Sequence, residues 1–204
     1  MGTSLLWAAG GTGFTFLMTT LGASVVFFFR KEVNASVQRI FLGFAAGVMI
    51  AASVWSLLIP AIEEASLNGG IGWIPAAGGF LLGVFFLIAL DTYLPHLHPD
   101  CSNPGCNEAE GVSSSWKRTT LLVMAVTLHN IPEGMAVGLS FALAAQHGND
   151  SAPYIAAMAL AIGIGIQNFP EGAAISLPPR LEGFSTGQAL FRGCSSGIVE
   201  PIFG

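Results

Sequence analysis

The chain has 204 residues, is 52% hydrophobic and only 9% charged, and has a mean hydropathy of +0.67. A soluble domain carries about a quarter charged residues, so this composition excludes one and implies a polytopic, all-α membrane protein. The net charge of −5 comes with no basic patch, which leaves no place for nucleic acid, and three cysteines do not suggest a disulfide framework.

Six apolar segments follow in chain order. The first, about residues 4–29, has no basic stretch before it. It is too long for a signal-peptide apolar core of about 7–15 residues, so it reads as a retained span. The second, about 37–62, is rich in Gly43, Ala45, Ala46, Gly47, Ala51 and Ala52. Small residues let helix backbones approach closely, which predicts a place in the bundle interior, with Ser53 and Ser56 in interhelical hydrogen bonds. The third covers about 71–94, the fourth 119–145 and the fifth 153–177. The sixth begins near Gln188 and reaches Gly204, short of the roughly 20 residues a span needs. The expectation is one transmembrane domain, residues 1–204, incomplete at its C-terminus.

All seven basic residues, Arg30, Lys31, Arg39, Lys117, Arg118, Arg180 and Arg192, fall in or beside the connections one–two, three–four and five–six. The connections at 63–70 and 146–152 carry none. The positive-inside rule then puts the basic loops in the cytoplasm and the N-terminus outside a multi-pass cell-membrane protein.

Leu128-His129-Asn130-Ile131-Pro132-Glu133-Gly134 in the fourth span is matched by Ile166-Gln167-Asn168-Phe169-Pro170-Glu171-Gly172 in the fifth. Polar and ionisable groups at membrane depth are expensive and mark a functional site by default. At about 100° per residue, Glu133 falls between His129 and Asn130, one turn on. Gln167, Asn168 and Glu171 repeat this. The spacing predicts two adjacent cation subsites bridged by shared carboxylates. Each proline also frees a carbonyl four residues earlier, tolerated at depth only where the backbone is buried in protein or lines a cavity. Successive spans run oppositely, so matched motifs suggest an inverted repeat with a site near the midplane. Glu200, beside Pro201, adds a carboxylate about 18 Å into its helix.

His129, Glu133, Gln167 and Glu171 form a mixed nitrogen and oxygen set that suits Zn²⁺, and also Fe²⁺, Mn²⁺ or Co²⁺. Asn130, Asn168 and Glu200 complete a second subsite with the shared glutamates. Three glutamates set against two divalent ions make the second ion the weaker one. The plainer alternative is a set of interhelical hydrogen bonds. Residues 96–118 form a cytoplasmic loop holding His96, His98, Cys101 and Cys106. With Asp91 it is either a metal exit station or an ordinary solvated loop. Glu63 and Glu64 either draw cations to an outer entrance or cap a solvated helix end.

His-Asn-Ile-Pro-Glu-Gly and Gln-Asn-Phe-Pro-Glu-Gly resemble the signature of the Zrt/Irt-like (ZIP) metal transporter family. Gly-Ile-Val-Glu-Pro-Ile-Phe-Gly in the sixth span and Leu-Gly-Phe-Ala-Ala-Gly-Val-Met-Ile-Ala-Ala-Ser in the second fit it too, most of all its bacterial, gufA-like branch. The resemblance implies an eight-span fold of which six are here. It implies a divalent-cation importer, zinc foremost with Cd²⁺ also a candidate, often working as a homodimer. It implies a first site of His129, Glu133, Gln167 and Glu171 and a second of Asn130, Glu133, Asn168, Glu171 and Glu200. Asp91, His96 and His98 match release positions, and Glu63 an entrance position. Many members carry an acidic residue at the place of Asn168. The runner-up function is an intramembrane metal-dependent hydrolase, which lacks a His-Glu-x-x-His and a second intramembrane histidine. A metal sensor or storage scaffold is a third class.

Overall fold

The computed structural model describes residues 2–28, 35–93, 96–97, 109–110, 118–147 and 151–204. The order is α1 (Gly2–Ala23) with a 3₁₀ turn (Ser24–Phe27), α2 (Ala35–Ala51), a π-helix (Ala52–Leu58), α3 (Ile59–Leu67), α4 (Trp73–Tyr93), α5 (Arg118–Gln146), α6 (Ser151–Leu181), α7 (Thr186–Gly197) and α8 (Val199–Phe203). Among the described residues the one extended pairing is antiparallel, His96–Leu97 with Ala109–Glu110. The protein is an all-α, polytopic membrane bundle. Leu5–Phe27, Gly43–Leu67, Thr119–Gln146 and Ser151–Arg180 are long and apolar enough to cross a membrane, and Trp73–Ala89 is a shorter apolar helix.

Proline explains where the helices depart from simple spans. The helix of the sixth segment breaks at Ile198. Pro201 has no N–H to give the carbonyl of Gly197, so α7 stops there and Pro201 falls in the first turn of α8, where a missing donor matters least. Pro60 likewise occupies the first turn of α3, just after the π-helix. π-helical turns are rare and gather at functional sites. Pro132 and Pro170, in contrast, lie inside α5 and α6, which stay helical through them.

The chain packs as two units, Met1–Leu57 with Val126–Gly204, and Leu58–Ala125. The core of the first is Val137 and Phe141 of α5 against Ala157, Leu160, Ala161 and Ile164 of α6. Trp7 of α1 stacks on Phe141 with ring centroids 6.3 Å apart. In the second unit α4 turns back on α3 through Gly69, whose φ of +77° suits glycine. Phe80, Leu82 and Phe85 stay exposed, as lipid-facing residues should.

The second span departs from expectation. Its most apolar stretch is 0% buried, with Ile40, Ile50 and Trp55 open. Small residues permit close packing but do not compel it along the whole helix: Ala52 and Leu57 pack against the core of the first unit, while Ile50 and Trp55 face outward. Ser53 does not reach another helix but donates to the carbonyl of Met49 on its own, at 2.8 Å.

Candidate metal centre

The centre lies wholly in the first unit and is built from α1, α5, α6, α7 and α8. Asn130, Glu133, Gln167, Asn168 and Glu200 are all buried, from 0% to 9% exposed. His129 reaches the surface further, its side chain 37% exposed. Ionisable groups so deep in an apolar bundle must find partners or a counter-charge.

One set of contacts joins α5 to α6. Gln167 Nε2 donates to Glu133 Oε1, and His129 Nε2 lies 3.4 Å from the same oxygen, one helical turn away. Glu133 Oε1 thus stands between His129 and Gln167. Glu171 interacts electrostatically with Glu133, His129 and Glu200.

A second set joins α6 to α8 and α1. Asn168 Nδ2 is 3.0 Å from each carboxylate oxygen of Glu200, and Thr19 Oγ1 is 3.2 Å from Glu200 Oε1. Asn130 Nδ2 donates across to the Ser196 carbonyl on α7 at 3.0 Å. Among the described residues no three His, Cys, Asp or Glu side chains converge closely enough to hold an ion by themselves. The reason is visible in the contacts: amides of Gln167 and Asn168 stand directly against the carboxylates.

Among the described residues six buried side-chain atoms have no hydrogen-bond partner, and five are oxygens of this centre: Asn130 Oδ1, Glu133 Oε2, Gln167 Oε1, Asn168 Oδ1 and Glu171 Oε1. Nearly all buried polar atoms in proteins are paired, and each unpaired one costs about 1–3 kcal/mol. Oxygen donors of this kind suit hard and borderline divalent ions.

The two motif copies make matching contacts. Asn130 donates to the carbonyl of Ser196, four residues before Glu200; Asn168 Nδ2 lies 3.5 Å from the carbonyl of Thr15, four residues before Thr19. A Cβ added at Gly134 would strike the backbone of Glu200, and one at Gly172 the carbonyl of Thr19. Each motif therefore ends in glycine because a neighbouring backbone crosses there, α8 at the first copy and α1 at the second. Thr19 stands to the second motif as Glu200 stands to the first.

Thr12, Thr15 and Thr19, all 0% exposed, are absent from the sequence expectation. Their signal is the spacing of 3 and 4 that puts three hydroxyls on one face of α1. The proposed entrance residue Glu63 is exposed on α3 of the other unit. The side chains of Asp91 and His96, and all of His98, Cys101 and Cys106, lie outside the described residues. Cys194 is a free thiol, half-buried on α7.

No family model matches the chain. It is 37% identical to the zinc transporter ZIP11 of Homo sapiens, over 98% of this chain and 79% of that protein. It is 37% identical to the zinc transporter ZIPB of Bordetella bronchiseptica, over 99% of this chain and 60% of that protein. With the zinc transporter GufA of Myxococcus xanthus it shares 35% identity, over 90% of this chain and 68% of that one. Relatives this similar over nearly all of its length settle where it belongs: the chain is a member of the Zrt/Irt-like (ZIP) family of metal transporters.

Proposed function

We propose that the protein carries a divalent metal ion, Zn²⁺ foremost with Fe²⁺, Mn²⁺ and Cd²⁺ as further candidates, across the membrane into the cytoplasm through a binuclear mid-membrane centre. The observation that carries this reading is the group of five buried, unpartnered oxygens on Asn130, Glu133, Gln167, Asn168 and Glu171. The names of the relatives support zinc in particular.

The first ion is held by His129, Glu133, Gln167 and Glu171, the second by Asn130, Glu133, Asn168, Glu171 and Glu200. The amides give the centre its reversibility. Gln167 and Asn168 now turn N–H groups to Glu133 and Glu200. Rotated by about 180° about the last side-chain bond, each offers its oxygen instead. An ion is then met by a group that had been satisfying a carboxylate, and on departure the N–H returns. No buried carboxylate need stand bare between ions, which would be costly at this depth. No covalent step is involved. The distribution of the basic residues supports inward movement with the N-terminus outside.

Zinc-65 uptake into proteoliposomes tests the reading. The His129→Ala/Glu133→Ala double variant removes one imidazole and one shared carboxylate, and uptake is expected to fall to the level of empty vesicles. Uptake equal to that of the unaltered chain refutes the site.

A further inference from the structure

We propose that Thr19 of α1 is a positioning residue of the second subsite, its hydroxyl fixing the Glu200 carboxylate for the ion. The inference rests on the transport reading above and deepens it. Glu200 is 0% exposed, so its oxygens need donors from the protein. The structure supplies three side chains: Asn168, against both oxygens, Thr19, at 3.2 Å from Oε1, and the Thr15 hydroxyl one turn away on α1. Asn168 is itself a ligand. When its amide turns to present oxygen to an ion it withdraws its N–H, and the donors that stay are on α1: Thr15, whose hydroxyl also lies 2.9 Å from the Thr12 carbonyl, and Thr19.

The hydroxyl has one proton and two acceptors at the same distance, Glu200 Oε1 and the Thr15 carbonyl, each at 3.2 Å. Thr15's carbonyl already has the helix N–H of Thr19 four residues on. The carboxylate makes the stronger, charge-assisted bond, so the proton goes to Glu200. The Thr19 side chain is also held in place: α7 crosses it at Gly197, where an added Cβ would come within 3.0 Å of Thr19 Cβ and Cγ2. On the other side Gly172 of α6 admits the Thr19 carbonyl. A fixed hydroxyl confines Glu200 Oε1 and leaves the second oxygen as the freer one to meet the ion. The matching place of Thr19 and Glu200 at the two motif copies is an independent sign that this position on α1 belongs to the centre.

Thr19→Val keeps the shape of the side chain and deletes the hydroxyl; Thr19→Ser keeps the hydroxyl and loses a methyl group. Binding of zinc alone to the purified full chain is followed by titration calorimetry, with thermal unfolding of each variant alongside. The expected result is a second binding step weakened about tenfold in Thr19→Val, the scale of one hydrogen bond to a charged group, with the first step unchanged. Thr19→Ser restores the second step to within about twofold, even where its unfolding midpoint is the lower of the two. A packing role predicts the reverse order, serine worse than valine, and that outcome overturns the inference. So does a second step in Thr19→Val equal to that of the unaltered chain, which leaves the transport reading standing. An unaltered chain that binds no zinc overturns both together.

Discussion

At the scale of single residues, Asn168 is the residue on which the proposed second subsite turns. Its amide nitrogen sits 3.0 Å from both oxygens of Glu200, where many members of the family have a carboxylate. Asn168→Asp places two like charges in contact at a position that is 0% exposed. Paired carboxylates repel unless a cation lies between them. The metal-free variant should therefore unfold at a lower temperature than the unaltered chain, while zinc should raise its midpoint by more. Each tenfold gain in affinity adds about 1.4 kcal/mol to stability at saturating zinc, or about 3–6 °C in a chain of this size. Thermal unfolding with and without zinc measures both effects. A zinc-induced rise no larger than that of the unaltered chain would show that position 168 does not face the ion. Residues like these were legible because a carboxylate or imidazole at membrane depth is conspicuous. Thr19 was not, because a hydroxyl can bond the carbonyl of its own helix and so sits in an apolar span without a visible penalty. The partner that gives it meaning, Glu200, is 181 positions away along the chain.

At the scale of helices, hydropathy located the long spans, whereas their interruptions depended on where each proline fell within a turn. Pro132 and Pro170 were expected to free a carbonyl four residues earlier within their spans, and they are carried inside continuous helices. Pro201 looked like part of one final helix and instead begins a new one after Ile198. The glycine and alanine content of the second span indicated a buried helix, yet its most apolar stretch has no fully buried residue, and it meets the core through Ala52 and Leu57; composition shows how close a neighbour could come, not how much of the helix it covers. Where glycines do meet a neighbour, the effect is local and measurable. Gly134 lies against the backbone of Glu200, whereas Gly13 has nothing within 4 Å of its would-be Cβ. Gly134→Ala forces α5 and α8 apart, and overpacking of this kind costs about 1–3 kcal/mol. Gly13→Ala gains helix propensity of up to about 1 kcal/mol and meets no clash. Thermal unfolding should show the first variant below the unaltered chain and the second level with it or above. Equal midpoints for the two would mean that α8 does not rest on α5 at Gly134.

At the scale of the whole molecule, the direction of transport depends on which end of each helix faces the cytoplasm, and α6 is the clearest measure. It has 31 residues, so it is about 46 Å long at 1.5 Å per residue. That exceeds the roughly 30 Å of bilayer hydrocarbon, and both its ends should reach the headgroups. The end near Ser151 follows a connection without basic residues, while the other end carries Arg180 in its last turn. Arg180 donates to the Phe184 carbonyl at 3.0 Å, and Arg192 lies 4.1 Å from the centre of the Phe184 ring. Two guanidinium groups thus hold the short turn after α6, and translocating them would work against the positive-inside rule. If this end faces the cytoplasm as proposed, a cation released near it enters the cytoplasm. Single cysteines at the exposed positions Gln146 and Glu182 make the orientation testable in a chain whose Cys101, Cys106 and Cys194 are replaced by serine. A membrane-impermeant maleimide added to intact cells should label Gln146→Cys at once, and Glu182→Cys only after the membrane is opened. The opposite pattern would turn the helix over in the membrane and, with it, the direction in which the ion moves.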